Sequence, residues 1–234
     1  MKKLVLIGGG DTGRGTSIYE TKEIDEEIVK MTEKENPNFL FIGLASSHSD
    51  SYYDTMKKIY KDLGCETVYL KKKNIINNPD IVVNKINNAD IIYICGGDTV
   101  KLVGDIKEYK IDKLLLEAYN RGCVIAGMSA GAILMSNKGF SDSLITRGES
   151  EKHEFIKGLN FININFCPHY HANINKTNEL EEYLKKNNEE IYCLENGTAL
   201  KVEDDKISII RSIKNSKAYL VSYKDKLIEK EIKN

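Results

Sequence analysis

The stretch Val124–Leu134, Val-Ile-Ala-Gly-Met-Ser-Ala-Gly-Ala-Ile-Leu, constrains this chain most. A short apolar run meets Gly-x-Ser-x-Gly, and a second apolar run follows at once. The pattern predicts strand, sharp turn, helix, with Ser129 at the turn, the arrangement of a nucleophile elbow. The flanking Gly127 and Gly131 lack the β-carbon that would obstruct such a turn. A hydroxyl at a helix N-terminus sits where unpaired amides and the helix dipole favour negative charge. Acyl transfer needs such a place beside the attacking oxygen. The alternative for the same residues is a small-residue turn that merely packs a helix on a strand.

The elbow sits in a series of similar units. Leu4–Ile7, Phe39–Leu44, Val68 with Leu70, Ile91–Cys95 and Val124–Met128 read as strands. Between them come helical spacings: Ile24, Ile28 and Met31; Tyr52, Met56, Ile59 and Leu63; Ile81, Val82 and Ile86; Ile111, Leu114, Leu115 and Ala118. Asn78-Pro79 opens the third helix as cap and first residue, and Gly64 and Gly122 are helix stops. Apolar runs alternating with helices at this spacing predict βαβ units and a parallel sheet. Beyond the elbow the signal changes. Lys138–Lys157 reads as polar and irregular, Phe161–Cys167 as a strand and Thr177–Lys186 as a helix. Short apolar runs at Ile191–Leu194, Thr198–Val202, Ile207–Ile210 and Ala218–Ser222 predict an antiparallel extension of the sheet. Glu203-Asp204-Asp205-Lys206 is read as a hairpin turn. No repeat or linker divides the chain, so residues 1–234 are expected to form a single domain.

The loop Gly8–Gly15 contains Gly-Gly-Gly-Asp-Thr-Gly, a literal match to Gly-x-Gly-x-x-Gly. A dinucleotide site would need the helix to start within the glycines and an acid after the second strand. Here helical spacing begins only near Thr21, and the second strand ends in Ala45-Ser46-Ser47. The loop is read instead as a mobile segment at the ligand-binding end of the sheet. The charge balance, 34 Lys and Arg against 35 Asp and Glu for a net charge of −1, points to neither nucleic acid nor a membrane surface. No apolar run approaches the roughly 20 residues of a membrane helix, and Met1–Gly8 reads as a first strand rather than a signal peptide. The five scattered cysteines form no Cys-x-x-Cys pair. A cytoplasmic protein without structural disulfides, bound metal or cofactor is expected, as a monomer or homodimer.

A serine nucleophile needs a base. His169, after an apolar strand and Pro168, is the first choice and His171 the second; His153 is read as a solvated loop residue. The base needs an acceptor that orients it. Asp142, between two serines, and Glu195, at the end of an apolar strand, are the candidates, and the residues alone do not choose between them. Ala130 supplies one oxyanion amide. Gly96-Gly97-Asp98-Thr99, closing the preceding strand, is the source of the second, and Asp98 or Thr99 would also cap a helix.

Ile-Cys-Gly-Gly-Asp-Thr, Ala-Gly-Met-Ser-Ala-Gly-Ala, Gly-Phe-Ser-Asp-Ser and Cys-Pro-His-Tyr, in this order, resemble the S51 serine peptidases, the peptidase E (α-aspartyl dipeptidase) and cyanophycinase group. The resemblance runs from Leu4 to about Val202. It implies a flavodoxin-like, class I glutamine amidotransferase-like α/β fold with helices on both faces of a mostly parallel sheet. It implies Ser129 as nucleophile, His169 as base and the Gly97 and Ala130 amides as oxyanion hole. Asp142 matches the peptidase E aspartate, whereas Glu195 sits where cyanophycinases place a glutamate. The implied activity is serine-type exopeptidase hydrolysis of small peptides, Asp-x dipeptides among them. Arg14 and Arg147 are the loop candidates for reading a substrate carboxylate. Two other activities fit parts of the pattern: an α/β-hydrolase-type esterase, disfavoured by the long stretch after His169, and a non-catalytic amidotransferase-like module that binds a small ligand.

Overall fold

The computed structural model describes residues 1–204 and 206–233. The first half is the expected alternation. It runs β1 (Lys3–Ile7), α1 (Lys22–Lys30), β2 (Asn38–Ile42), α2 (Ser49–Asp62), β3 (Glu66–Leu70), α3 (Lys72–Asn77), α4 (Pro79–Asn87), β4 (Ile91–Ile94), α5 (Thr99–Glu108), α6 (Ile111–Arg121) and β5 (Val124–Met128). Every residue of β1, β4 and β5 is buried, the condition that lets continuous apolar runs form parallel strands covered on both faces. The cap expected at Asn78 is present: its side chain accepts from the Ile81 amide, with Pro79 as the first helical residue.

After β5 the chain continues through α7 (Ala130–Met135), β6 (Lys138–Ser141), α8 (Ser143–Thr146), β7 (Glu154–Lys157), β8 (Asn165–Cys167), α9 (Ile174–Lys186), β9 (Ile191–Leu194), β10 (Thr198–Glu203), β11 (Lys206–Arg211), β12 (Ala218–Lys224) and β13 (Lys226–Glu231). Two sheets result. The first has the order β11-β10-β1-β5-β4-β2-β3, with β1, β5, β4, β2 and β3 mutually parallel and β10 and β11 added antiparallel at one edge. This is the expected flavodoxin-like α/β arrangement with its antiparallel extension. The second sheet, β13-β12-β9-β8-β6-β7, departs from expectation. The region 138–157 is two strands and a short helix rather than irregular, the strand expected from Phe161 starts only at Asn165, and β9 and β12 leave the main sheet. The helix α7, buried along its whole length, packs against strands of both sheets. The turn read at 203–206 joins β10 to β11, with Glu203 opposite Lys206; Asp205 lies outside the described residues. Among the described residues no helix is long and apolar enough to cross a membrane.

One buried acid fixes the loop that follows β1. Asp25 has no exposed surface. Its Oδ2 accepts from the Tyr19 and Thr21 hydroxyls, both at 2.9 Å, and its Oδ1 from Tyr60 of α2 at 2.8 Å. Burial pushes this carboxyl up from 3.8 to about 6, against the pull of the three hydroxyls. The fold therefore favours the neutral acid. The stability this contributes is complete below the unfolded value near 3.8 and is lost as the pH rises through about 6. Two units correspond to on the order of 3 kcal/mol. The stability difference between wild type and Asp25→Asn, from denaturant unfolding between pH 4 and pH 7, is expected to change by that order in favour of the variant as the pH rises. A difference that is flat across this range contradicts the assignment.

Candidate active site

Ser129 stands between β5 and α7 with φ 51° and ψ −104°, a conformation that non-glycine residues rarely adopt. The surroundings enforce it. The Ser129 amide donates to the Ile7 carbonyl at 3.0 Å, and its carbonyl accepts from Ile133 at 2.9 Å. A β-carbon at Gly127 would overlap the backbone of Gly131, and one at Gly131 would overlap the Ile94 carbonyl. The two glycines thus let α7 start directly against β4 and β5. Ala130, first residue of α7, presents an amide with no preceding helical acceptor. The loop Gly96–Thr99 closes β4, the neighbour of β5, and a β-carbon on Gly96 would lie 3.6 Å from the Ser129 Cβ. The loop therefore lies beside the elbow.

His169 follows β8. Its amide donates to the Gly8 carbonyl at 2.8 Å, which places the ring over the ends of β1 and β5. The ring Nε2 lies 2.9 Å from Ser129 Oγ, and Nδ1 lies 2.7 Å from Asn196 Oδ1. The network assigns the tautomer: an amide oxygen only accepts, so Nδ1 carries the proton and Nε2 offers its lone pair to the serine hydroxyl. That is the form a general base requires.

The two acids considered as orienter do not reach this ring. Asp142 is exposed at the start of α8 and acts on His169 only through space. Glu195 Oε1 lies 2.9 Å from His171 Nδ1, and its Oε2 accepts from the Lys217 amide at 2.8 Å. The partner of His169 is the next residue, Asn196, in the turn after β9. His171 is held between Glu195 and Glu229 and does not contact Ser129. His153 is not a solvated loop residue: its Nδ1 sits 2.8 Å from Glu179 of α9 and its ring stacks on Phe140.

The glycine loop also acquires a reason. A β-carbon at Gly9 would overlap both the His169 ring and Asn196 Oδ1, while the Gly9 carbonyl accepts from Gly197 at 2.9 Å. The pair formed by His169 and Asn196 packs directly onto bare backbone there. Other polar groups near the elbow serve the scaffold. Asp98 caps α5 through the Lys101 amide at 3.0 Å and pairs with Arg147 at 3.1 Å, and buried Thr99 bonds Ser141 and Ser143. Arg147 is further engaged by Glu149 at 2.7 Å. Arg14 is exposed, its guanidinium 4.5 Å over the Tyr52 ring, and the Tyr52 hydroxyl donates to the sulfur of Met128, the residue before Ser129. Among the described residues no group of three or more His, Cys, Asp or Glu side chains is placed to hold a metal ion.

Burial, followed by the nearby Lys176 ammonium, holds the His169 pKa below its ordinary value of 6.5, against the Asn196 hydrogen bond and the Asp142 charge. The ring is therefore neutral at neutral pH, the state a general base requires. Activity that needs this base is lost only as the pH falls through a value below 6.5, so the acid limb of kcat/KM is expected below that of an unperturbed histidine. A limb at or above pH 7 would contradict it.

A serine on an elbow, a correctly protonated histidine and amides beside the serine define an acyl-transfer hydrolase of the serine type. Residues 3–210 match the model of peptidase family S51, and the chain belongs to that family. It is 29% identical to an uncharacterized peptidase, YgaJ, of Bacillus subtilis, over 94% of this chain and 92% of that protein. It is 28% identical to peptidase E of Nostoc, over 95% and 90%. A crystal structure of a putative peptidase E protein from Listeria monocytogenes superposes with TM-score 0.67 at 22% identity, covering 90% of this chain and 98% of that one. A peptidase from an acI-B1 actinobacterium superposes with TM-score 0.72 at 19% identity, covering 100% and 94%. The protein is a serine-type peptidase.

Proposed function

We propose that this peptidase hydrolyses small peptides, Asp-x dipeptides among them, through an acyl-enzyme formed on Ser129. The observation that carries the proposal is the 2.9 Å approach of His169 Nε2 to the hydroxyl of a serine held at positive φ. Ser129 Oγ attacks the scissile carbonyl while its proton passes to His169 Nε2. The Ala130 and Gly97 amides donate to the developing oxyanion. Collapse breaks the C–N bond, and His169 returns the proton to the leaving amine. Water then enters, loses a proton to His169 and attacks the ester, and Ser129 recovers its proton as the acid leaves. Asn196 keeps the proton on Nδ1 throughout and turns the lone pair towards Ser129.

The aspartyl preference rests on the family resemblance and on Arg14. Of the two loop arginines, Arg147 is committed to two carboxylates, whereas Arg14 is exposed, with its guanidinium over the Tyr52 ring and its charge acting on Asp11. A panel of Asp-x, Asn-x and x-Asp dipeptides tests it. Asp-x is expected to be cleaved at least about tenfold faster than Asn-x, and Arg14→Ala to erase that ratio, as befits one charge-assisted contact. A protein that cleaves neutral dipeptides but not Asp-x would remove the aspartyl assignment.

A further inference from the structure

We propose that His171 is a positioning residue: a side-chain clamp that holds the loop carrying His169 against the turn carrying Asn196. This rests on the relay set out above. His169 and Asn196 lie on two separate segments, following β8 and β9. The last backbone bond that joins these segments directly is from the Tyr170 amide to the Leu194 carbonyl, at 2.9 Å. Beyond it the join is made by a side chain. His171 Nδ1 lies 2.9 Å from Glu195 Oε1, and its Nε2 lies 2.9 Å from Glu229 Oε1 on β13.

Both ring nitrogens thus face carboxylate oxygens. The ring thereby bridges the two acids. Each anchor is itself fixed. Glu195 exchanges two bonds with Lys217, its amide donating to the Lys217 carbonyl at 3.1 Å and its Oε2 accepting from the Lys217 amide at 2.8 Å. Glu229 Oε1 also accepts from the buried Tyr170 hydroxyl at 2.6 Å. The edge of Tyr219 closes one side of the His171 ring. His169 and His171 both have positive φ, 52° and 63°, and such backbone persists only where its surroundings over-determine it. The clamp supplies that determination two residues from the base and one residue from its orienter. Glu195 therefore acts on the relay through His171, not by touching His169.

The test uses His171→Ala, His171→Gln and Glu195→Gln, with two readouts. The first is the rate at which a fluorophosphonate phosphonylates Ser129, with loss of fluoride, at saturating and sub-saturating probe. The second is the ring nitrogen NMR shifts of His169, which report its tautomer without requiring turnover. His171→Ala is expected to slow the phosphonylation step about tenfold with little change in probe binding, and to admit the second His169 tautomer. His171→Gln, whose amide still donates to one carboxylate, is expected to recover to within about threefold of wild type. If His171→Ala does not fold, Glu195→Gln, which keeps the packing, is expected to slow phosphonylation and mix the tautomers in the same direction. Wild-type labelling rates together with unchanged His169 shifts would overturn the clamp. If wild-type protein is not labelled at all, the Ser129 mechanism fails, and the His169 shifts alone decide the clamp: mixed tautomers in the variants support it, and a single unchanged tautomer overturns it.

Discussion

His169→Ala is expected to lower kcat/KM by about 10⁴-fold, and Asn196→Ala by about 10²-fold. The difference follows from what each group does. In the proposed mechanism His169 moves the proton, and without it only the oxyanion amides and substrate binding remain. Asn196 holds a tautomer and an orientation, through one 2.7 Å bond to Nδ1, and carries no charge to neutralise the imidazolium. Asn196→Asp separates these contributions. A carboxylate at that position accepts the same bond and adds an attractive charge, which raises the pKa of His169. The acid limb of kcat/KM is expected to move up by about one unit or more, while activity on its alkaline side is retained. Steady-state kinetics across pH for the three variants checks this. Asn196→Ala with wild-type kinetics, or an acid limb unmoved in Asn196→Asp, would remove Asn196 from the relay.

Gly9→Ala is the second large effect. Gly9 has φ +145°, and its missing β-carbon is the space that the His169 ring and Asn196 Oδ1 occupy. The added methyl must displace one of them or the loop itself. A shift near 1 Å in a reacting group costs about two orders of magnitude, and moving both partners of the bond to Nδ1 is expected to cost about 10³-fold in kcat/KM. The backbone strain adds about 2 kcal/mol of lost stability. Gly15→Ala, on the same loop, is the control. It also has positive φ, but nothing lies within 4 Å of the added carbon. It is expected to lose some stability and to keep kcat/KM within about twofold. Equal losses in the two variants would mean that the loop, rather than contact with the relay, is responsible.

The parallel half of the fold was legible because each of its central strands is buried on both faces, so the apolar run and the strand coincide. The second sheet was not. β7 has no fully buried residue, and β13 exposes most of its side chains, so neither produces an apolar run. The three residues of β8 are held by pairing with β6 and β9 rather than by their own pattern. At the candidate site, the placement of Ser129 and His169 at strand ends was legible from the punctuating residues there. The partner of His169 was not, because a one-residue step at a strand end changes which way the side chain faces. Glu195 turns to His171, and Asn196 turns to His169. In sequence, Asn196-Gly197 carries only the signal of a turn. The glycines after β1 were legible as a constraint on the backbone, but the ring that packs on Gly9 comes from a segment 160 residues away.

The central claim is that Ser129 is a nucleophile activated by His169. The most direct measurement is mass-spectrometric mapping of the protein after reaction with a fluorophosphonate, for wild type and His169→Ala. One adduct on the peptide containing Ser129, lost in the variant, is the predicted result. A folded wild-type protein that takes no adduct, or takes it at a serine other than Ser129, would contradict the account.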